Sequence, residues 1–162
     1  MYNFYIEVNH SSPAWQGEPI IDINALYRLI AAAFEHKLVA QRLADRTIVH
    51  PTLSIMLSDD DQIQHLNKLH RNKDKPTNVL SFPLFDGKEG LLGDVILSYT
   101  TIKHEALEQE KPFDHHVAHM LIHGTLHLLG FDHETAQEAE EMEKIEREVL
   151  TNLSIPDPYA YP

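Results

Sequence analysis

The sequence predicts a mixed α and β fold in one domain, arranged around a buried helix. Three observations carry this. The chain has 162 residues, 43% of them hydrophobic, which suits one domain with a real core. Short runs with strand-like alternation recur between longer runs with helical spacing. One helical run, from Val117 to Leu129, is apolar over most of its circumference, and a helix of that kind is buried.

Each element follows from local pattern. Asn3 to Val8 alternates with aromatic and β-branched residues, as a first strand does. Ser11 to Pro19 is a loop with two prolines. Asp22 is placed to cap a helix from Ile23 to about Val39, with Ala25, Leu26, Leu29, Ile30, Ala33 and Phe34 on one face. Thr52 to Leu57 reads as a strand. Ser58 is placed to cap a helix that opens with Asp59-Asp60-Asp61, acids suited to a positive helix start. Ile63, Leu66 and Leu69 form its apolar side. Lys68 to Pro76 reads as a basic loop. Asn78 to Leu84 is a strand ending at Pro83, and Asp86-Gly87 with Glu89-Gly90 marks a turn. Asp94 to Ser98 is a short buried strand, and Thr100 to Glu110 a further helix. Pro112 suits the first turn of the buried helix. Glu134 to Leu153 is the last helix, with Ala136, Ala139, Met142, Ile145, Val149 and Leu153 inward and its glutamates on a solvated outer face. The domain spans residues 1–155, and the proline-containing tail, 156–162, is expected to be flexible.

Composition narrows the function classes. The net charge of −12 repels polyanions at long range. There is no run of about twenty apolar residues, so no membrane span is expected. The N-terminus lacks the basic and apolar blocks of a signal peptide. Cysteine is absent, which removes disulfides and thiolate metal sites and is compatible with a cytoplasmic protein.

The chemistry concentrates between His123 and His133. His123 and His127 stand four apart, so both imidazoles point from one helix face. A third ligand cannot come from the same helix, because His119 and His127 are about 12 Å apart along its axis. Gly130 readily ends the helix in a left-handed conformation and lets His133 fold back. Three protein ligands leave a place open for water, which marks a catalytic metal site. The spacing matches the H-E-x-x-H-x-x-G-x-x-H pattern of metzincin proteases at every ligand and at the glycine. Gly124 stands where those proteases carry their general-base glutamate, which argues against peptide hydrolysis.

The stretch from His70 to Asn78 carries Arg71, Lys73 and Lys75, with Lys68 just before it. These are the candidate substrate-binding residues. Arginine offers a planar fork of donors for phosphate. Salt screening beyond roughly 8–10 Å lets a local basic groove bind an anion on an acidic protein. Composition alone fits a solubilising turn better than a phosphate holder.

Three segments together resemble one family. His123 to His133, Arg71 to Pro83 and Leu92-Gly93-Asp94-Val95 look like the bacterial YbeY family of single-strand-specific endoribonucleases, from about residue 50 to 153. The resemblance implies an α+β fold, a small mixed β-sheet of about four strands packed with helices, with the metal-binding helix central and the metal in a cleft. It implies that His123, His127 and His133 hold one catalytic metal, usually taken to be zinc; three imidazoles also suit Ni, Cu or Fe. Arg71 matches the family's functionally important arginine. The implied partners are RNA, as ribosomal RNA of the small subunit, with neither DNA nor membrane. The implied role is maturation of the 16S rRNA 3′ end and ribosome quality control. Asn78 stands where some relatives have Asp, a change expected to be tolerated.

The expected reaction is metal-assisted hydrolysis of an RNA phosphodiester, with Arg71 as the catalytic residue that holds the phosphate and offsets transition-state charge. No general base stands out. Asp132, Glu134 and His119 are near in sequence, yet Asp132 also suits orienting a ligand imidazole and His119 suits a buried, hydrogen-bonded neighbour. Attack by water at the metal and attack by the RNA 2′-hydroxyl both stay open. The rival readings are a metalloprotease or other zinc hydrolase, and a non-catalytic ribosome-associated factor.

Overall fold

The computed structural model describes residues 3–84 and 90–160. The turn expected at Asp86-Gly87 and Glu89-Gly90 lies, apart from Gly90, outside the described residues. Four strands form one sheet: β1 (Tyr5–His10), β2 (Thr52–Ser58), β3 (Val79–Pro83) and β4 (Leu91–Ser98). Their order across the sheet is β1-β2-β4-β3. β1, β2 and β4 run parallel, and β3 runs antiparallel to β4. The helices are α1 (Ile23–Glu35), α2 (Lys37–Asp45), α3 (Asp60–Arg71), α4 (Tyr99–Glu108), α5 (Phe113–Leu128) and α6 (Ala136–Asn152). The fold is α+β with a small mixed sheet, as the resemblance implied.

Alternation along the strands sorts their side chains onto two faces. Leu53, Ile55 and Leu57 of β2 and Val95 and Leu97 of β4 join the main core with α1, α5 and α6. Leu80 and Ile96 face the other way and form a smaller cluster with Ile63 of α3. The sheet is therefore sandwiched, with α3 on one side and α5 on the other. Helix α5 packs on β3 and β4 and touches α1, α4 and α6. Val117, Ala118, Leu121, Ile122 and Leu126 on it are fully buried, so the helix that carries His123 and His127 is central.

Several expectations need correction. The helix expected from Ile23 to Val39 breaks at His36, whose ψ of 132° leaves the helical region. Its ring nitrogen caps α2 by accepting from the Leu38 amide. The cap of α3 is Asp59, which accepts from the Gln62 amide, and Ser58 instead donates to the Gln62 side chain. Leu69 does not join the apolar side of α3; it is 64% exposed, because Ile63 and Asn67 already fill the buried face. The helix continues to Arg71 and stops at a left-handed Asn72. Lys68 and Arg71 therefore sit on its last turn, not in a loop. β4 begins at Leu91 rather than Asp94, since Gly93 lets the strand run close against the Phe82 carbonyl.

The last helix also differs. Ala136 is exposed, and Glu146 is fully buried, so the glutamates of α6 do not all face solvent. In the segment expected to be a flexible tail, Tyr159 contacts Glu146 of α6; residues 161–162 lie outside the described residues.

Candidate metal centre and basic cleft

Helix α5 supplies two imidazoles and the turn after it supplies the third. The His123 and His127 Nε2 atoms lie 3.1 Å apart. His133 joins them, and one ligand nitrogen from each of the three rings lies within 4.8 Å of the others. The helix stops after Leu128, and Gly130 takes a φ of +86°, the left-handed turn the spacing called for. Helix α2 secures that turn. Arg42 donates to the Leu129 carbonyl at 2.7 Å and stacks over the Phe131 ring, a cation placed at a helix C-terminus.

The far sides of two rings are fixed. His123 Nδ1 lies 2.6 Å from Glu146 Oε1. His127 Nδ1 lies 3.0 Å from the Phe131 carbonyl. Both partners accept, so each Nδ1 carries the proton and each Nε2 presents its lone pair inward. Burial, with His123 and His133 alongside, pushes the His127 pKa down to about 4. Two Nε2 lone pairs facing at 3.1 Å repel unless a cation lies between them. That donor set fits a divalent transition metal with His123, His127 and His133 as ligands.

Glu146 is the residue that the sequence reading missed. It is fully buried on α6. Burial pushes its pKa up, but hydrogen bonds from His119 and His123 more than offset this and leave it at about 2. A signal was present: Glu146 stands four after Met142 and three before Val149, within the inward stripe of α6. His119 is the buried neighbour that was anticipated. Its Nε2 lies 3.2 Å from the Tyr159 hydroxyl and 3.4 Å from Glu146 Oε1. Burial lowers its pKa despite the carboxylate. Asp132 accepts from the His133 backbone amide at 2.8 Å, shaping the turn.

Arg71, Lys73 and Lys75 line the same open cleft as the three histidines, a cavity of about 810 Å³. Arg71 donates to the Ser81 carbonyl at 2.9 Å, which anchors one arm of an otherwise exposed fork. Lys68 is not on that wall; its ammonium lies 3.7 Å from Asp74. Asp132 and Glu134 also border the cleft, so its charge is mixed.

Gly124 now has a structural reason. It faces β3 and β4, where an added Cβ would lie 2.7 Å from Val95 Cγ1 and 3.0 Å from Ser81 Oγ. Its carbonyl accepts from Ser81 Oγ at 2.8 Å. The position that bears a glutamate in the protease pattern is thus turned into the sheet and has no room for a side chain.

The family described as endoribonuclease YbeY matches residues 15–154. The chain belongs to the YbeY family. An endoribonuclease YbeY of Rhodopseudomonas palustris is 44% identical over 162 residues, covering 96% of this chain and 81% of the relative. Another, from Nitrobacter hamburgensis, is 48% identical over 140 residues, covering 80% of this chain and 74% of the relative. A solution structure of a Thermotoga maritima protein shares the fold with a TM-score of 0.58, at 25% identity and 97% coverage of both chains. Among the described residues, no helix is long and apolar enough to cross a membrane.

Proposed function

We propose that this protein is a metal-dependent, single-strand-specific endoribonuclease that matures the 3′ end of 16S rRNA and serves ribosome quality control in the cytoplasm. One observation supports this above the others. Three imidazoles with inward lone pairs share a cleft with Arg71, Lys73 and Lys75. A metal hydrolase of peptides has no need of that basic wall.

The residues divide the work. His123, His127 and His133 would hold the metal, and zinc suits three neutral imidazoles. When bound, the ion polarises a phosphoryl oxygen and acidifies a nearby water. Arg71 would grip a phosphate with the arms that Ser81 leaves exposed, and would offset charge that develops on the phosphoryl oxygens. Lys73 and Lys75 would track the strand on either side by charge. Lys68, turned to Asp74, would contribute least. Glu146 and the Phe131 carbonyl would hold two ligand rings in the required tautomer.

The test is cleavage of a small-subunit rRNA fragment carrying an unpaired 3′ extension, with and without chelator, beside casein and single-stranded DNA. Chelator-sensitive RNA cleavage with inert casein and DNA is the expected result. Chelator-sensitive casein cleavage with inert RNA would sink the proposal. Unchanged RNA processing by Arg71→Ala, together with a His123→Ala variant that merely unfolds, would place the metal in a structural role.

A further inference from the structure

The family match stops at residue 154, yet the chain beyond it returns to the metal centre. Helix α6 closes at Leu153, and Ser154 takes a φ of +61° that reverses the chain. The Ile155 amide donates to the Leu150 carbonyl at 2.9 Å. Asp157 then accepts from the Tyr159 amide at 2.8 Å, and its other oxygen lies 4.0 Å from Arg147 Nε. This path lays the Tyr159 ring edge-on against His119, at 5.4 Å between centroids.

The hydroxyl of Tyr159 ends on the buried carboxylate. It donates to Glu146 Oε2 at 2.6 Å. Glu146 Oε1 accepts from His123 Nδ1 at 2.6 Å and faces His119 at 3.4 Å. Donors thus meet both oxygens of a carboxylate with no exposed surface. A buried carboxylate holds its charge and its place when hydrogen bonds satisfy it. Without the hydroxyl, Oε2 lacks its 2.6 Å donor and the carboxylate is free to turn. That turn loosens its hold on His123.

We propose that Tyr159 is a positioning residue of the metal centre: its hydroxyl fixes the Glu146 carboxylate, which orients the His123 ring so that Nε2 stays aimed at the ion. The C-terminal segment thereby sets how tightly the metal is held. This rests on the metal reading of the three histidines.

The experiment measures Zn²⁺ affinity of the full-length protein by competition with a chromophoric chelator. The variants are Tyr159→Phe, Glu146→Gln, the double variant and His123→Ala. Partners that orient a ligand imidazole typically change metal affinity by about 10- to 100-fold. Tyr159→Phe is expected to weaken binding by about 10-fold and Glu146→Gln by about 100-fold. The double variant is expected to match Glu146→Gln, because the hydroxyl acts through that carboxylate. Wild-type affinity in Tyr159→Phe overturns the proposal. So does an equal further loss in the Glu146→Gln background, which would mean the tail acts through general stability. Should Glu146→Gln fail to fold, the His123 Nδ1–H proton resonance decides instead, and an unchanged resonance in Tyr159→Phe overturns the proposal. No Zn²⁺ binding by wild type, or none lost in His123→Ala, removes the metal reading itself and the proposal with it.

Discussion

Arg71 reaches the cleft from the last turn of α3, and its bond to the Ser81 carbonyl fixes where the fork points. A point charge cannot reproduce that grip. Arg71→Ala is expected to lower kcat for RNA by about 10²-fold, with metal content by elemental analysis unchanged, and Arg71→Lys to recover little of it. Gly124 gives a different kind of prediction. Gly124→Ala should gain helix propensity of about 1 kcal/mol and lose about 1–3 kcal/mol to crowding against Val95 and Ser81. The net is a modest destabilisation, read from urea unfolding. The three histidines and Gly130 were legible because their spacing encodes a helix face and a left-handed stop. Glu146 was legible only by position. It stands among other glutamates of α6, and its place in the inward stripe, not its chemistry, marks it as buried.

At the scale of elements, α2 is the helix the sequence concealed. Apolar spacing runs on past the break at His36, and Val39 fits either one long helix or two. What ends α1 is the backbone of His36, whose side chain caps α2 and lies 2.8 Å from Glu148 on α6. The break matters to the site because it brings Arg42 to the end of α5. Arg42→Met is expected to free the Leu129 carbonyl, cost about 1–3 kcal/mol, and loosen the turn that returns His133. Weaker Zn²⁺ retention against chelator, with Glu146 and Tyr159 intact, is the measurement. For α3, the basic residues were read as a loop because Asn72 to Pro76 breaks helical pattern. The left-handed Asn72 sets the end of the helix one residue past Arg71, and so decides which cations face the cleft.

For the whole molecule, the metal should act as a clamp between α5, the His133 turn and, through Glu146, α6. An ion that binds the folded chain and not the unfolded one raises stability by mass action. Chelation is expected to lower Tm reversibly, with recovery on adding Zn²⁺ back. Acid should act on the metal-free protein through Glu146. Its pKa falls from 4.5 to about 2 on folding. Its contribution is therefore full above about 4.5, shrinks as pH falls and is gone below about 2. Urea unfolding across that window should show a slope that Glu146→Gln flattens. Strand order could not be read from the chain, because period-two patterning tells which face a residue takes and not which strand lies beside it. β4 between β2 and β3 is a tertiary outcome.

Ser81 ties the two halves of the cleft together. Its carbonyl holds Arg71 and its hydroxyl holds the backbone of Gly124, next to His123. One residue of β3 thus works as a rigid spacer between the proposed phosphate grip and the proposed metal. The gap is set when the chain folds, so the ordering entropy is met then and not when a strand arrives. A site spaced in this way needs no hinge closure to bring its halves together, so kcat at saturating RNA is expected to be insensitive to solvent viscosity.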